Sequence, residues 1–165
     1  MTRLVWIWLH ITLAGIWLGS QVFLALIIPI LRRRLDGPVY ADILHAIGVR
    51  LRWLGWISIA GLVITGVLNL GHLGYTWADA FNGHLWTGAF GRVLMHKLGL
   101  VVLIIALMAV HDLWLGPKFT RRLQSADDPD TEPLRKWAAW LGRITVILTL
   151  LVFYFAVTLV RGGHP

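Results

Sequence analysis

The stretch RVLMHKLGLVVLIIALMAVHDLWLGP, residues 92–117, is an apolar run with one histidine toward each end. Between Lys97 and His111 it contains no charged or strongly polar side chain. A helix needs about 20 apolar residues to cross a hydrocarbon core of ~30 Å, and this run has the necessary length. The stretch therefore predicts a membrane-spanning helix, which we expect to end at Gly116-Pro117.

The rest of the chain has the same apolar character. Of its 165 residues 58% are hydrophobic and 14% are charged, with a mean hydropathy of +0.72. A soluble domain of this size could not bury so much apolar surface, so lipid must surround much of it. We predict an all-α, polytopic membrane protein in which residues 1–165 form a single four-helix transmembrane domain. The predicted helices cover about residues 4–31, 38–71, 90–115 and 134–160.

The basic residues predict how the chain is oriented. They concentrate in the first and third connections, which the positive-inside rule places in the cytoplasm. We therefore predict a multi-pass protein of the bacterial inner membrane with both termini in the periplasm. The net charge of +7 is then a topology signal, and nucleic acid is excluded as a partner. The chain has no cysteine, which excludes disulfides, thiolate metal sites and iron–sulfur clusters.

Histidines at membrane depth are the candidate functional residues, because intramembrane ionisable groups are costly and usually functional. His96 and His111 share one stripe of the third helix, about 22 Å apart along its axis. His10 lies about two turns into the first helix, nearly at the depth of His96. His45, ahead of the second span, lies toward the leaflet of His111. The sequence thus predicts an outer pair, His10 and His96, and an inner pair, His45 and His111.

Haem b is one cofactor that such pairs would suit. Bis-histidine ligation needs one nitrogen from each side of the ring, and two levels of paired imidazoles suit two haems stacked across a membrane. The protein would then pass electrons to or from quinone or another small acceptor. If it is an enzyme, it is a haem-dependent membrane oxidoreductase. Lys97 would either extend to the headgroups or hold a carboxylate of a bound porphyrin or quinone.

Copper is the other candidate, since imidazole and thioether ligands both suit it. Copper handling through histidines of the first and third helices is the function we predict, and the haem protein is the alternative. His10 and His96 would be ligands near the outer leaflet, with His72 and His84 as an outer access site. His111 with Asp112 would form an inner station, in which the carboxylate orients the imidazole. Two methionines lie close in sequence to the third-helix histidines, namely Met95 and Met108.

Two small-residue pairs predict where helices touch, because close backbone approach drives association in lipid. They are Gly15 with Gly19 on the first helix and Gly61 with Thr65 on the second. A scaffold in which the histidines only pack also fits the sequence. The chain could equally form a homo-oligomer or be a subunit of a larger membrane complex.

Two stretches resemble a known family. LHITLAGIWLGSQVFLALIIPILRR, residues 9–33, resembles the first helix of CopD-type copper-resistance membrane proteins. HKLGLVVLIIALMAVHDLWLGP, residues 96–117, resembles a later helix of that family. The resemblance covers nearly all of the chain, as a compact four-helix form. It implies an inner-membrane protein of copper uptake or tolerance that acts with a periplasmic copper carrier. The second stretch is also similar to HemJ-type protoporphyrinogen oxidases, although here His96 and Lys97 are adjacent rather than separated by one residue.

Overall fold

The computed structural model describes residues 1–115 and 131–161, and nearly all of these residues are helical. No strand occurs within these ranges. A single 3₁₀ turn (His84–Trp86) precedes the third long helix, and a π-helical turn (His111–Leu115) continues that helix without a break. The elements are α1 (Thr2–Arg34), α2 (Gly37–His72), α3 (Trp77–Phe81), the 3₁₀ turn (His84–Trp86), α4 (Gly88–Val110), the π turn (His111–Leu115) and α5 (Thr131–Val160).

Four of the helices in these ranges are long and apolar enough to cross a membrane. They are α1, α2, α4 with its π turn, and α5 from Lys136 onward. Large apolar side chains cover their outer faces; Leu26, Val102 and Val157, for example, are at least 60% exposed. Such a surface requires lipid around it. The prediction of a four-helix membrane bundle is confirmed.

The turn between α1 and α2 follows the local sequence. α1 ends in Arg32, Arg33 and Arg34, whose charges complement the carbonyl end of a helix. Asp36 precedes α2 with extended backbone angles, and Pro38 lies in the first turn, where its missing N–H costs nothing. Two antiparallel helices result.

The four spans pack around one apolar centre. α1 packs mainly against α2, α4 packs mainly against α5, and α1 also contacts α5. Trp17 of α1, Ile59 of α2 and Ile104 of α4 form the buried core, with Leu148 and Val152 of α5 against it. Four antiparallel spans have two distinct ends. We call them the terminal end, which carries Met1, and the basic end, which carries the three arginines of α1.

Of the two predicted helix contacts, the structure contains the one at Gly61 and lacks the one at Gly15 and Gly19. A Cβ added at Gly61 would lie 2.7 Å from Leu13 Cδ1, so the two helices approach closely there. Gly15 and Gly19, by contrast, have no atom within 4 Å of an added Cβ, so the prediction of a contact at these two positions is wrong. Both residues are exposed on the outer face of α1.

The connection between α2 and α4 is more ordered than the sequence indicates. The predicted helices leave the residues between 71 and 90 as a plain connection, but this connection contains α3 and the 3₁₀ turn. Thr76 and Asp79 form a reciprocal capping box at the start of α3. The rings of Tyr75 and Phe90 stack with centroids 5.4 Å apart, which fastens the connection to α4. A helix of five residues is too short to show a periodic pattern.

Acid is expected to loosen this connection. The Thr76 hydroxyl and then the Thr76 amide donate to the Asp79 carboxylate, at 2.6 and 2.7 Å, and hold its pKa below the ordinary 3.8. A depressed carboxyl pKa stabilises the fold above 3.8, and that contribution is lost as the pH falls through the lower, folded-state value. We expect amide exchange at residues 76–81 to become faster at such pH, relative to a reference peptide. Asp79→Asn should show the faster exchange at neutral pH, and unchanged protection would contradict the account.

The third span ends in a π-helical turn, which widens the helix where His111 and Asp112 lie. Such turns are rare and frequently occur at functional sites. The expected stop at Gly116-Pro117 and the basic connection after it lie outside the described residues.

Candidate metal centre

His10 is tied to α2 by a short hydrogen bond. Its Nδ1 lies 2.7 Å from Oγ1 of Thr65, a side chain that is only 4% exposed. The same hydroxyl donates to the Gly61 carbonyl at 2.7 Å, with the Leu62 carbonyl at 3.3 Å. A hydroxyl has one hydrogen, so while it donates to the Gly61 carbonyl its oxygen accepts from His10. His10 therefore donates from Nδ1, and Nε2 is the nitrogen that can bind a metal.

The close approach of α1 and α2 places the ring there. Gly61 gives room for Leu13, as described above. A Cβ added at Gly66 would lie 3.6 Å from Cε1 of His10, so the ring rests against α2 at this point. The imidazole is half-buried and its orientation is fixed by packing as well as by the bond to Thr65.

Lys97 is a half-buried cation of α4. Its two predicted roles, extension to the headgroups or service to a site near His10, stay predictions. An ammonium group beside a cation site would attract the carboxylate or other anion that accompanies the cation.

His96 has a different environment from His10. Its Nδ1 donates to the Arg92 carbonyl at 2.7 Å, and its ring stacks on Phe155 of α5 with centroids 5.9 Å apart. The side chain is exposed. The contacts of the two rings are thus to different helices, α2 for His10 and α5 for His96, and their pairing stays a prediction.

Two further histidines lie at the terminal end outside the bundle core. His72, at the last residue of α2, donates from Nδ1 to the Leu68 carbonyl at 2.7 Å. His84, in the 3₁₀ turn, has Nδ1 3.6 Å from Oδ1 of Asp79. Both side chains are exposed, as an access site requires. No contact between the two histidines joins them into one site.

A buried carboxylate marks the basic end of α4. Oδ1 of Asp112 accepts from Nδ1 of His111 at 3.0 Å, and the residue is 9% exposed. Its Oδ2 is buried without a hydrogen-bond partner among residues 1–115 and 131–161. On α2, Nε of Arg52 is also buried and unpaired within these ranges. His45 is exposed on α2, and its predicted pairing with His111 stays untested.

Four of these histidines share one arrangement. His10, His72, His96 and His111 each donate from Nδ1 to an oxygen acceptor, which leaves Nε2 for a metal. Metal-ligating histidines are usually oriented in this way. Within residues 1–115 and 131–161, however, no three histidine, aspartate or glutamate side chains lie together as a cage for a metal ion.

Sequence reasoning missed the contact of Thr65 with His10, because Thr65 was interpreted only as a packing residue. A polar side chain one helical turn from a helix-contact glycine, at the depth of a histidine on the neighbouring span, is the pattern that would have identified Thr65.

Comparison with known proteins gives a family and a relative. The family model described as copper resistance protein D matches residues 45–159. An uncharacterized protein of Aquifex aeolicus (strain VF5) is 29% identical over 161 residues, which cover 96% of this chain and 95% of that protein. No solved structure matches the chain.

Proposed function

The chain belongs to the copper resistance protein D family, and on that premise we propose that it handles copper, in uptake or tolerance, through ligands inside the membrane. The observation that carries the proposal is the bond between His10 and Thr65. It orients an imidazole at membrane depth and directs the metal to Nε2. Outer-shell partners of this kind raise ligand basicity and fix the tautomer.

The proposed route begins at the terminal end. The distribution of arginine and lysine supports a placement of this end in the periplasm of the inner membrane. There the exposed His72 and His84 would accept copper from a periplasmic copper carrier, and His10, assisted by His96, would bind it within the membrane. His111 and Asp112 would form the inner station, because their imidazole and carboxylate are already joined and one carboxylate oxygen is unused. Copper is the cargo at each of these positions.

The haem alternative makes a different demand on the same residues. A bis-histidine haem needs His10 facing His96 and His45 facing His111, with the rings on opposite sides of each macrocycle. The observed contacts turn His96 toward Phe155 and leave His45 exposed. Both proposals need His96 near His10, but only the haem proposal needs a partner for His45. The exposure of His45 therefore favours copper, and His45 is the residue that distinguishes the two proposals.

Replacing Thr65 with valine is expected to weaken copper binding about 10- to 100-fold, the usual cost of losing an outer-shell partner. Valine has the same shape but cannot accept the hydrogen bond from His10. The measurement is a competition titration of the purified protein with a chromophoric Cu(I) chelator. Thr65→Ser keeps the hydroxyl and should bind copper like the parent protein.

Thr158→Val is the matched control for that titration. Thr158 is a buried threonine of α5 near the terminal end, and its hydroxyl donates to the Tyr154 carbonyl at 3.0 Å. It has no bond to a histidine in the described structure. If Thr65→Val and Thr158→Val bind copper equally tightly, the bond between Thr65 and His10 does not serve copper binding.

A further inference from the structure

Met108 places a thioether in the centre of the bundle. The side chain packs against the core of Trp17, Ile59 and Ile104. A Cβ added at Gly55 of α2 would lie 2.8 Å from its Cε and 4.0 Å from its Sδ. An alanine at this position would require the flexible end of the Met108 side chain to shift. Met95, in contrast, is 52% exposed on the outside of the same helix.

The sulfur lies between the two proposed copper stations. Gly55 is ten residues before Thr65 on α2, so Met108 lies about 15 Å below the His10 ring along the bundle. His111 follows Met108 by three residues, or about 4.5 Å of helix rise. The core that Met108 contacts consists of aliphatic and indole side chains, and an unliganded cation in such surroundings is strongly disfavoured.

Resting on the copper function proposed above, we propose that Met108 is the soft ligand that carries Cu(I) between His10 and the His111–Asp112 pair. Thioether sulfur favours Cu(I) over zinc and the harder cations. Methionine also has an unbranched side chain that changes rotamer easily, so it can follow the ion. The ion remains Cu(I) along the route, and no redox step is involved.

Unpaired oxygens flank the sulfur on both sides. Ser58, one turn from Gly55 toward the terminal end, is 1% exposed, and its Oγ has no hydrogen-bond partner among the described residues. Asp112, one turn beyond Met108, has the unpaired Oδ2. Each of these two oxygens can be a second ligand to the ion as it approaches or leaves the sulfur. A core that served only packing would not need unpaired oxygens beside the thioether.

Methionine-methyl NMR tests the proposal directly, because the chain contains only three methionines. The intact protein in nanodiscs, labelled with ¹³C at the methionine methyl groups, is titrated with Ag(I), a redox-inert analogue of Cu(I). Met95→Leu and Met108→Leu assign the signals. The Met108 methyl signal should shift by more than its line width, and the Met95 signal should not move.

Transport supplies the second measurement. Met108→Leu keeps the volume of the side chain and removes the sulfur, so packing against Gly55 is retained. We expect Cu(I) uptake into proteoliposomes to fall on the order of tenfold or more, whereas Met95→Leu should transport like the parent protein. Binding at the His10 station should persist in both variants.

The outcomes separate this proposal from the copper function itself. If Ag(I) binding depends on His10 and the Met108 methyl signal still does not move at saturation, the relay is wrong and the outer site stands. If the Met108 signal moves equally in the His10→Ala variant, the thioether site stands and the outer site is wrong. Absence of Ag(I) binding to the parent protein overturns both.

Discussion

Replacing His10 with alanine is expected to lower the affinity for Cu(I) more than about 100-fold, beyond the cost of losing an outer-shell partner. His10 supplies the only imidazole whose ring is both seated between two spans and bonded to a buried threonine in the described structure. The fold should survive, since the Thr65 hydroxyl keeps its bond to the Gly61 carbonyl without the histidine. His10→Phe fills the space of the ring and checks that a cavity is not responsible.

His45→Ala is the matched control and also tests the haem alternative. His45 is exposed on α2 and has no copper role in the proposed route. Copper binding and copper-dependent growth should therefore be normal in this variant and lost in His10→Ala. If the purified protein instead shows the visible bands of a reduced bis-histidine haem and His45→Ala removes one of two haems, the haem proposal is right. Normal copper binding in both variants would remove His10 from the account.

Gly91→Ala is expected to be the most destabilising alanine substitution of a glycine in the described helices. A Cβ at this position would lie 2.4 Å from the carbonyl carbon of Trp86 and 2.6 Å from the carbonyl oxygen of Leu85. Both atoms belong to the backbone, so no side-chain rotation relieves the overlap, and the 3₁₀ turn must move away from α4. The free energy of unfolding should fall by about 3 kcal/mol, the upper part of the range for overpacking.

Gly99→Ala is the control on the same helix. No atom lies within 4 Å of an added Cβ at Gly99, and alanine is the better helix former. Its free energy of unfolding should stay within about 1 kcal/mol of the parent value. Denaturation of both variants in detergent, followed by tryptophan fluorescence, measures the difference. Equal stability of Gly91→Ala and Gly99→Ala would contradict the packing described for the α2–α4 connection.

The spans were predictable because a membrane imposes a length and a composition on each helix. Each predicted boundary lies within three residues of the helix found at α1, α2, α4 with its π turn, and α5. Shorter elements do not follow from that constraint. α3 depends on one capping box, and the π turn at His111 depends on packing that no periodic pattern expresses.

The site was predictable in its residue types but not in its contacts. Placing an ionisable side chain in lipid costs free energy, and this cost identifies His10 and Lys97 as functional candidates from the sequence alone. Depth along a helix is also calculable, but the direction of a side chain depends on how neighbouring helices rotate about their axes. That rotation turns His10 to Thr65, turns His96 to Phe155 and brings Met108 to Gly55.

The tautomer of His10 is the most direct test of the central claim that Thr65 presents Nε2 to copper. The ¹⁵N spectrum of histidine-labelled protein, with His10 assigned from the His10→Phe variant, reports which ring nitrogen carries the proton. We predict a protonated Nδ1, a bare Nε2 and a shift of the Nε2 signal when Ag(I) is added. A proton on Nε2 with a bare Nδ1, or an Nε2 signal that stays in place at saturating Ag(I), would contradict the account.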